Sequence, residues 1–449
     1  MFVGRQAELR VLEELANSGK PELYVLYGRR RVGKTELLQQ FCREHRAVYF
    51  LAAQVREKDN LRAFRDAVAT CLEDPLAASV ELSSWTSALR FVSERAGSER
   101  LVLVLDEFPY LCEASPGLPS EIQRFWDTTA KKGKLMLVLC GSQLSFMEKE
   151  VLAERSPLFG RRTAQRRLEP LAPGDSLTFF PRWDLRDRAL ACACLGGMPA
   201  YLRRFDDRLS LQENLLRECF RPEGYLFDEV QFLLRAELTN PATYNSILAS
   251  VARGVERLGD IALAVGVDST HANKYLSTLR ELRLVEREVP LTDPDPLRSR
   301  RGTYRIADRF LAFHFRHIHP HGSLIHAGRG GRVLEEFVEP DFPRLLEEVL
   351  VDFVLDHLRS RAAELVDGEI VQTSRFGGSF VRAVAKTAEG RGVAAVVEPA
   401  EGAAAVALEE EIAEVAAALG SPVERLHYSW SADPALPLEV RRAPAGRRS

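Results

Sequence analysis

A chain of 449 residues is too long for one hydrophobic core, so two to four domains are expected. Its 46% hydrophobic and 28% charged residues are those of an ordinary globular protein, and a formal net charge of −3 disfavours a generally basic nucleic-acid coat while leaving room for a local basic patch. No apolar run reaches the roughly 20 residues that span a bilayer, and the N-terminus MFVGRQAEL has no basic region followed by an apolar stretch. The seven cysteines, Cys42, Cys71, Cys112, Cys140, Cys192, Cys194 and Cys219, form no C-x-x-C pair and read as reduced core thiols. A cytoplasmic protein without membrane contact is expected.

In chain order, Val- and Leu-rich runs at 23–27, 47–51, 101–105, 135–140 and roughly 166–171 alternate with helix-like segments. They do not alternate polar with apolar, which is the pattern of parallel strands buried on both faces. Residues 1–170 are therefore expected to form a three-layer α/β core. Strand signals fade over 171–238, where 186–195 and 209–220 read as helices of a lid. Residues 239–312 give three short helices, then two strands around a loop with Pro290, Pro294 and Pro296, the order of a winged helix-turn-helix. A His-rich linker, 313–332, follows. The last domain, 333–440, opens with acidic helices (333–361), continues with strands at 369–372, 380–385 and 393–397, and closes with an Ala-rich helix around 409–419. The tail RRAPAGRRS, 441–449, is expected to be disordered.

The segment LYVLYGRRRVGKTELLQQF supplies a strand, a loop and a helix around G-x-x-x-x-G-K-[ST], a Walker A cradle. Gly28, Arg29, Arg30, Arg31, Val32, Gly33, Lys34, Thr35 and Glu36 are assigned to nucleotide contact. Gly28 and Gly33 let the backbone curl so that its N–H groups face phosphate, and the helix from about Lys34 adds its positive end. Lys34 places a charge between the β- and γ-phosphates, and the Thr35 hydroxyl is a Mg²⁺ ligand. The run LVLVLDEFPYL delivers Asp106 and Glu107 to a strand end as the Walker B pair. Asp106 holds Mg²⁺ through water, and Glu107 accepts a proton from the attacking water or orients it. The strand LMLVLCGSQ is expected between these two. It ends in Ser142 and Gln143, placed either to contact the γ-phosphate or attacking water, or to cap a loop. A cation for the γ-phosphoryl oxygens is sought among Arg155, Arg161 and Arg162 of ERSPLFGRRTAQ, with Arg29, Arg30 and Arg31 also in reach of phosphate.

Together, FVGRQAEL, YGRRRVGKT, LVLDEFPYL, LCGSQLSFM, SPLFGRRTAQ and GGMPAYL resemble the archaeal-type ATPases, a branch of the STAND signal-transduction NTPases within the AAA+-related group. The resemblance extends over almost the whole chain, including YRIADRFLAFHFRHIHP. It implies an ATPase core, a helical lid, a winged helix and a C-terminal domain related to restriction-endonuclease folds. It further implies that Phe2, Val3, Gly4 and Arg5 pack near the adenine and that Ser142 is the sensor residue. The Gly197-Met198-Pro199 turn would bring the lid to the nucleotide, with Pro199 among the contacts. The same resemblance favours Arg161 or Arg162 over Arg155 as an arginine finger.

In the helix-turn-helix, 258–265 and 269–282 read as the two helices, with Gly266 in the turn and Asp268 or Ser269 as cap. Ala272, Tyr275, Leu276, Leu279 and Leu282 make an apolar stripe. Thr270, His271, Asn273, Lys274 and Ser277 point outward, and Arg298, Arg300 and Arg301 lie in the following loop. Both DNA contact and packing on the nucleotide domain remain open. Histidines 314, 317, 319, 321 and 326 lack zinc-site spacing and read as hinge-packing or solvated residues. A nuclease of the restriction-endonuclease fold needs a helical acid, a strand-end Asp and a Glu-x-Lys strand. Here Glu347 or Glu348 serves as the first, Arg382 stands where the Asp belongs, and Glu398 is followed by Ala400 where the Lys belongs. Nuclease activity is not expected of this degenerate domain. The functional expectation is a slow Mg-ATP-hydrolysing switch that couples ATP/ADP state to the winged-helix and C-terminal domains and to a protein partner or homo-oligomer. The alternative is a nucleotide-regulated DNA-binding regulator.

Overall fold

The computed structural model describes residues 2–97, 99–130, 133–291, 293, 299, 301–360, 365–366, 368–397, 403–431 and 437–442. The chain divides into two compact units, Met1–Leu171 with Met198–Ala200, and Ala172–Gly197 with Tyr201–Ser449.

The first unit holds five parallel strands: β1 (Glu22–Tyr27), β2 (Ala47–Leu51), β3 (Leu101–Asp106), β4 (Leu135–Gly141) and β5 (Ala164–Arg167). Their order is β2-β3-β4-β1-β5, so β4 lies between the Walker A and Walker B strands as expected. Every residue of β3 and β4 is buried, because helices cover both faces and leave neither one for polar residues. Around the sheet stand α1 (Gln6–Ala16), α2 (Lys34–Cys42), α3 (Glu57–Cys71), α4 (Trp85–Ala96), α5 (Phe108–Ala114) and α6 (Leu118–Thr128). On one face Val25, Leu103, Leu105, Leu137 and Leu139 pack with Phe64, Trp85, Leu89 and Phe125. The alternate residues Tyr24, Leu26, Val104 and Val138 are buried on the other face.

The fifth strand corrects the sequence reading, which placed it at 166–171. β5 starts at Ala164 and is an edge strand of sequence AQRR, none of it fully buried. Its polarity hid it, and the apolar Leu168 and Leu171 behind it drew the assignment out of the sheet.

In the second unit the Leu185–Leu195 helix buries seven consecutive residues from Ala189 on, Cys192 and Cys194 among them. The Leu211–Cys219 and Glu229–Glu237 helices follow. Next come the Pro241–Ala252, Leu258–Val265 and Ser269–Glu281 helices and an antiparallel pair, β6 (Val285–Glu288) with β7 (Thr303–Ile306), in the order expected. Arg298 and Arg300 lie outside the described residues. His314 and His317 are buried, His317 bonded to Asp341 at 3.0 Å, while His319 and His326 are exposed. Burial pushes the His314 imidazole down to about 3.

The last part is a five-stranded mixed sheet in the order β12-β11-β10-β9-β8: β8 (Ile370–Arg375), β9 (Val381–Thr387), β10 (Gly392–Val397), β11 (Val423–Trp430) and β12 (Leu438–Arg442). Only β10 and β11 run parallel. Val393, Ala395 and Val397 meet Val354 and Leu358 of the Phe342–Ser360 helix, whereas Ala394 and Val396 meet Leu408, Ile412 and Val415 of the Ala403–Leu419 helix. β11 and β12 were not expected. Arg441 and Arg442, assigned to a disordered tail, are the end of β12, which pairs with β11. Residues 443–449 lie outside the description. Charged LEVRR reads as tail because an edge strand with one open face need not be apolar. All seven cysteines are free, but Cys42 is only half-buried and Cys71 is exposed, so these two are not core thiols. No helix among the described residues is long and apolar enough to cross a membrane.

Candidate nucleotide site

The chain leaves β1 at Tyr27 and turns at Gly28. There the Leu168 N–H donates to the Tyr27 carbonyl at 2.7 Å, and a Cβ on Gly28 would stand 2.5 Å from the Leu168 carbonyl oxygen. Only glycine accommodates that approach. Arg31 (φ 68°) and Gly33 (φ 96°) complete the curl, and α2 begins at Lys34. Lys34 is buried and folds back across the loop, its Nζ donating to the Gly28 and Arg29 carbonyls at 2.8 and 2.9 Å. From the N-terminal segment, Arg5 donates to the Val32 carbonyl at 2.9 Å, next to Gly4 with φ 64°. Pro199 also reaches the loop: a Cβ on Gly33 would lie 3.7 Å from Pro199 Cγ. Arg29 is buried, and Arg30 is drawn aside to the Tyr110 hydroxyl at 3.0 Å.

Asp106 ends β3, 1% exposed. Its Oδ2 accepts from Thr35 Oγ1 at 2.9 Å and from the Tyr49 hydroxyl, and its Oδ1 from the Glu107 N–H at 2.9 Å. Glu107 has φ 53°, a left-handed turn that swings its carboxylate toward the end of β4. There Ser142 Oγ lies 2.8 and 2.7 Å from its two oxygens. The neighbouring order β3-β4-β1 thus brings Lys34, Thr35, Asp106, Glu107 and Ser142 to one end of the sheet, where ligands sit in open α/β folds.

A family model described as an ATPase domain predominantly from Archaea matches residues 2–205. An uncharacterized protein of Methanocaldococcus jannaschii is 34% identical over 328 residues, covering 73% of this chain and 71% of its own length. The chain belongs to this archaeal-type ATPase family. An uncharacterized ATP-binding protein of the same organism is 56% identical over 41 residues, 9% of this ATPase and 70% of the relative. The fold of the Walker-type ATPase of Pyrococcus abyssi is similar, with TM-score 0.51 at 22% identity over 70% of this chain and 96% of that one.

Two residues of this archaeal-type ATPase escaped the sequence reading. Tyr49 sits in the apolar run AVYFL and reads as core, yet its phenol bonds Asp106. Burial and the neighbouring Asp106 charge hold that phenol protonated, well above the usual tyrosine range. Arg167, at the end of β5 opposite Tyr27, is a cation at the Walker end of the sheet, bound to Glu148 at 3.0 Å and Glu169 at 3.1 Å.

The finger candidates are placed elsewhere. The Thr163 N–H, just after Arg162, donates to the Leu23 carbonyl at 2.8 Å, at the start of β1. Because β5 runs parallel to β1, the backbone of Arg161 and Arg162 lies near the other end of the sheet from Gly28, roughly 16 Å away at ~3.3 Å per strand residue. Arg161 grips Asp127 at 2.9 and 3.1 Å, Arg162 donates to the Leu152 carbonyl at 2.9 Å, and Arg155 pairs with Glu150 at 3.1 Å. The structure does not bring them to this chain's own phosphate loop, so a finger role for either requires a neighbouring subunit. Specific activity is then expected to rise with protein concentration and to fall in Arg161→Ala or Arg162→Ala. Unchanged turnover in both variants rules the pair out. Arg161→Ala should cost at most about 1 kcal/mol of stability, the range of partly exposed ion pairs.

A second expectation concerns the loop. Gly28→Ala forces a methyl against backbone and should cost on the order of 1–3 kcal/mol, lowering the melting temperature and ATP affinity together. An alanine variant with parental melting and affinity contradicts this account of the turn.

Proposed function

We propose that this protein is a Mg-ATP-hydrolysing switch. The observation that carries the reading is the convergence of Lys34, Thr35, Asp106, Glu107 and Ser142 at one end of the first sheet. The residues present suit the ligand. A buried ammonium satisfied by two loop carbonyls is ready to take phosphate oxygens instead. A hydroxyl and a carboxylate 2.9 Å apart are hard oxygen donors suited to Mg²⁺. When held there, Mg²⁺ withdraws charge from the phosphate oxygens. The Thr35 hydroxyl and the Asp106 carboxylate would hold it. Lys34 offsets charge on the β- and γ-phosphates. Glu107 orients the attacking water and accepts its proton, and Ser142 fixes the Glu107 carboxylate meanwhile. The Gly28–Thr35 backbone and the N-terminus of α2 supply N–H groups to phosphate.

Nucleotide state has a covalent route out of the site. Met198–Ala200 belongs with the first unit and is flanked on both sides by chain of the second, and Pro199 stands at Gly33. We read this segment as the coupling element to the helical lid, the winged helix-turn-helix of residues 241–306 and the C-terminal domain, in a cytoplasmic protein that contacts a protein partner or further copies of itself. An ATPase assay with and without Mg²⁺, read alongside limited proteolysis of the second unit in ATP and ADP, tests it. Turnover without any nucleotide-dependent change in cleavage rules out the switch and leaves the ATPase. A nucleotide-regulated DNA-binding role is the second reading, favoured by the arginines described below.

The C-terminal domain is a folded platform in this reading. Glu347 is paired with Arg382, and Glu348 accepts from Arg309 at 2.6 Å and from Arg316 and Arg344 at 3.2 Å, so both helical acids are already neutralised by arginine. Glu398 and Ala400 lie outside the described residues. No cleavage of plasmid or single-stranded DNA is expected with Mg²⁺ or Mn²⁺; cleavage that disappears in Glu347→Ala or Glu398→Ala would overturn this.

A further inference from the structure

In the second unit a cleft of about 770 Å³ opens between the start of the Leu258–Val265 helix, one side of the Ser269–Glu281 helix and the β6–β7 hairpin. Arg257, Arg280, Arg287 and Arg301 line it with Asn273 and Ser299, and no acidic residue is among the described lining residues. Asn273 and Arg280 are two helical turns apart and so share a face. Arg287 donates to the Ser299 carbonyl and lies along Gly302, where a Cβ would come within 2.5 Å of its Cζ. Gly302 thus leaves the room that this guanidinium occupies.

Several arginines elsewhere in this unit are bound to carboxylates, among them Arg305 to Glu288 at 2.6 Å, Arg309 to Glu348 and Asp352, and Arg425 to Glu409. Arg257, Arg280 and Arg301 are exposed, and among the described residues their side chains make no hydrogen bond or ion pair. The described carboxylate at the cleft is Asp293, which accepts from the Ser299 hydroxyl at 2.5 Å, so positive charge outweighs negative there and an anion from outside is favoured. Arg257 also precedes the Leu258–Val265 helix as a cap without a side-chain bond, which leaves first-turn N–H groups at the cleft wall.

We propose that this cleft seats backbone phosphates of duplex DNA. A planar guanidinium suits phosphate, and four of them spread over two helices and a hairpin match a strand of phosphates better than one small anion. The start of the Ser269–Glu281 helix is not the anchor, because Asp268 caps Thr270 and His271 and pairs with the His271 ring. Binding is accordingly carried by charge, with weak sequence preference.

The test uses the full chain without nucleotide and a fluorescent random-sequence duplex, read by anisotropy between about 50 and 200 mM salt. The parent is expected to bind with a steep salt slope. Each of Arg257→Ala, Arg280→Ala and Arg301→Ala should flatten the slope by about one, and the triple variant should lose affinity on the order of tenfold or more at the low-salt end. The triple Lys variant should recover most of it, and Arg62→Ala on α3 should change nothing. Melting temperatures should match the parent in every case, since these arginines hold no partner. No binding by the parent, or parental affinity and slope in the triple Ala variant, overturns the proposal. So does displacement of DNA by tripolyphosphate at equimolar charge, which marks a small-anion site, or a clear preference for single-stranded RNA. The proposal does not rest on the ATPase reading: Lys34→Ala should bind the duplex like the parent even with ATP turnover gone.

Discussion

Lys34→Ala is expected to abolish ATP turnover and to weaken ATP binding by about 10- to 100-fold, the equivalent of roughly 1.5–3 kcal/mol for hydrogen bonds to a charged group. The ammonium is buried and donates to the Gly28 and Arg29 carbonyls at 2.8 and 2.9 Å. Exchanging those carbonyls for phosphate oxygens keeps its hydrogen bonds while adding charge attraction, so the binding contribution is specific to the anion. Removal also leaves two loop carbonyls without this donor, which should lower the melting temperature of the nucleotide-free protein slightly. Isothermal titration with ATP, phosphate release and thermal melting separate the effects. A folded Lys34→Ala variant with parental affinity and turnover would sink the assignment of the loop.

Glu107→Gln is expected to leave ATP affinity within a few-fold of the parent and to slow hydrolysis by about 10²–10⁴. The amide keeps the size of the side chain and retains an oxygen for the Ser142 hydroxyl, now 2.7–2.8 Å from the carboxylate, so the left-handed turn at Glu107 need not move. What disappears is the ability to accept a proton. Asp106 stays beside Thr35, so the Mg²⁺ ligands are untouched. Single-turnover phosphate release against titration of a non-hydrolysed ATP analogue divides chemistry from binding. Parental turnover in Glu107→Gln would move the base elsewhere; lost binding would make Glu107 a structural residue of the pocket.

How much of this was legible beforehand depends on whether a residue acts through its own neighbours in sequence. The Walker A loop was, because Gly28, Gly33, Lys34 and Thr35 act within eight residues and the apolar β1 run fixes the strand ahead of them. The burial of β3 and β4 on both faces was likewise written in LVLVLD and LMLVLCG, and it placed Asp106, Glu107 and Ser142 at strand ends. Strand order was inferred from the motifs, but the hydrogen bond from Ser142 to Glu107 and the phenol of Tyr49 on Asp106 needed the sheet, since they join positions 35 and 57 residues apart. Arg161 and Arg162 could not be located from the sequence for the same reason. A sequence shows that they follow β4, but only the parallel pairing of β5 with β1 shows that they lie near its far end. Edge strands β5 and β12 failed as patterns because hydrophobicity reports burial, and an edge strand exposes a face and half its backbone. The arginine cleft is the extreme case. Arg257, Arg280, Arg287 and Arg301 span 45 positions; the loop after the two helices pointed to Arg301, but nothing in the local sequence joins it to Arg257 and Arg287. Local chemistry determined the nucleotide loop, whereas the meeting of side chains from separate elements, and which charges go unpaired, was decided by tertiary packing alone.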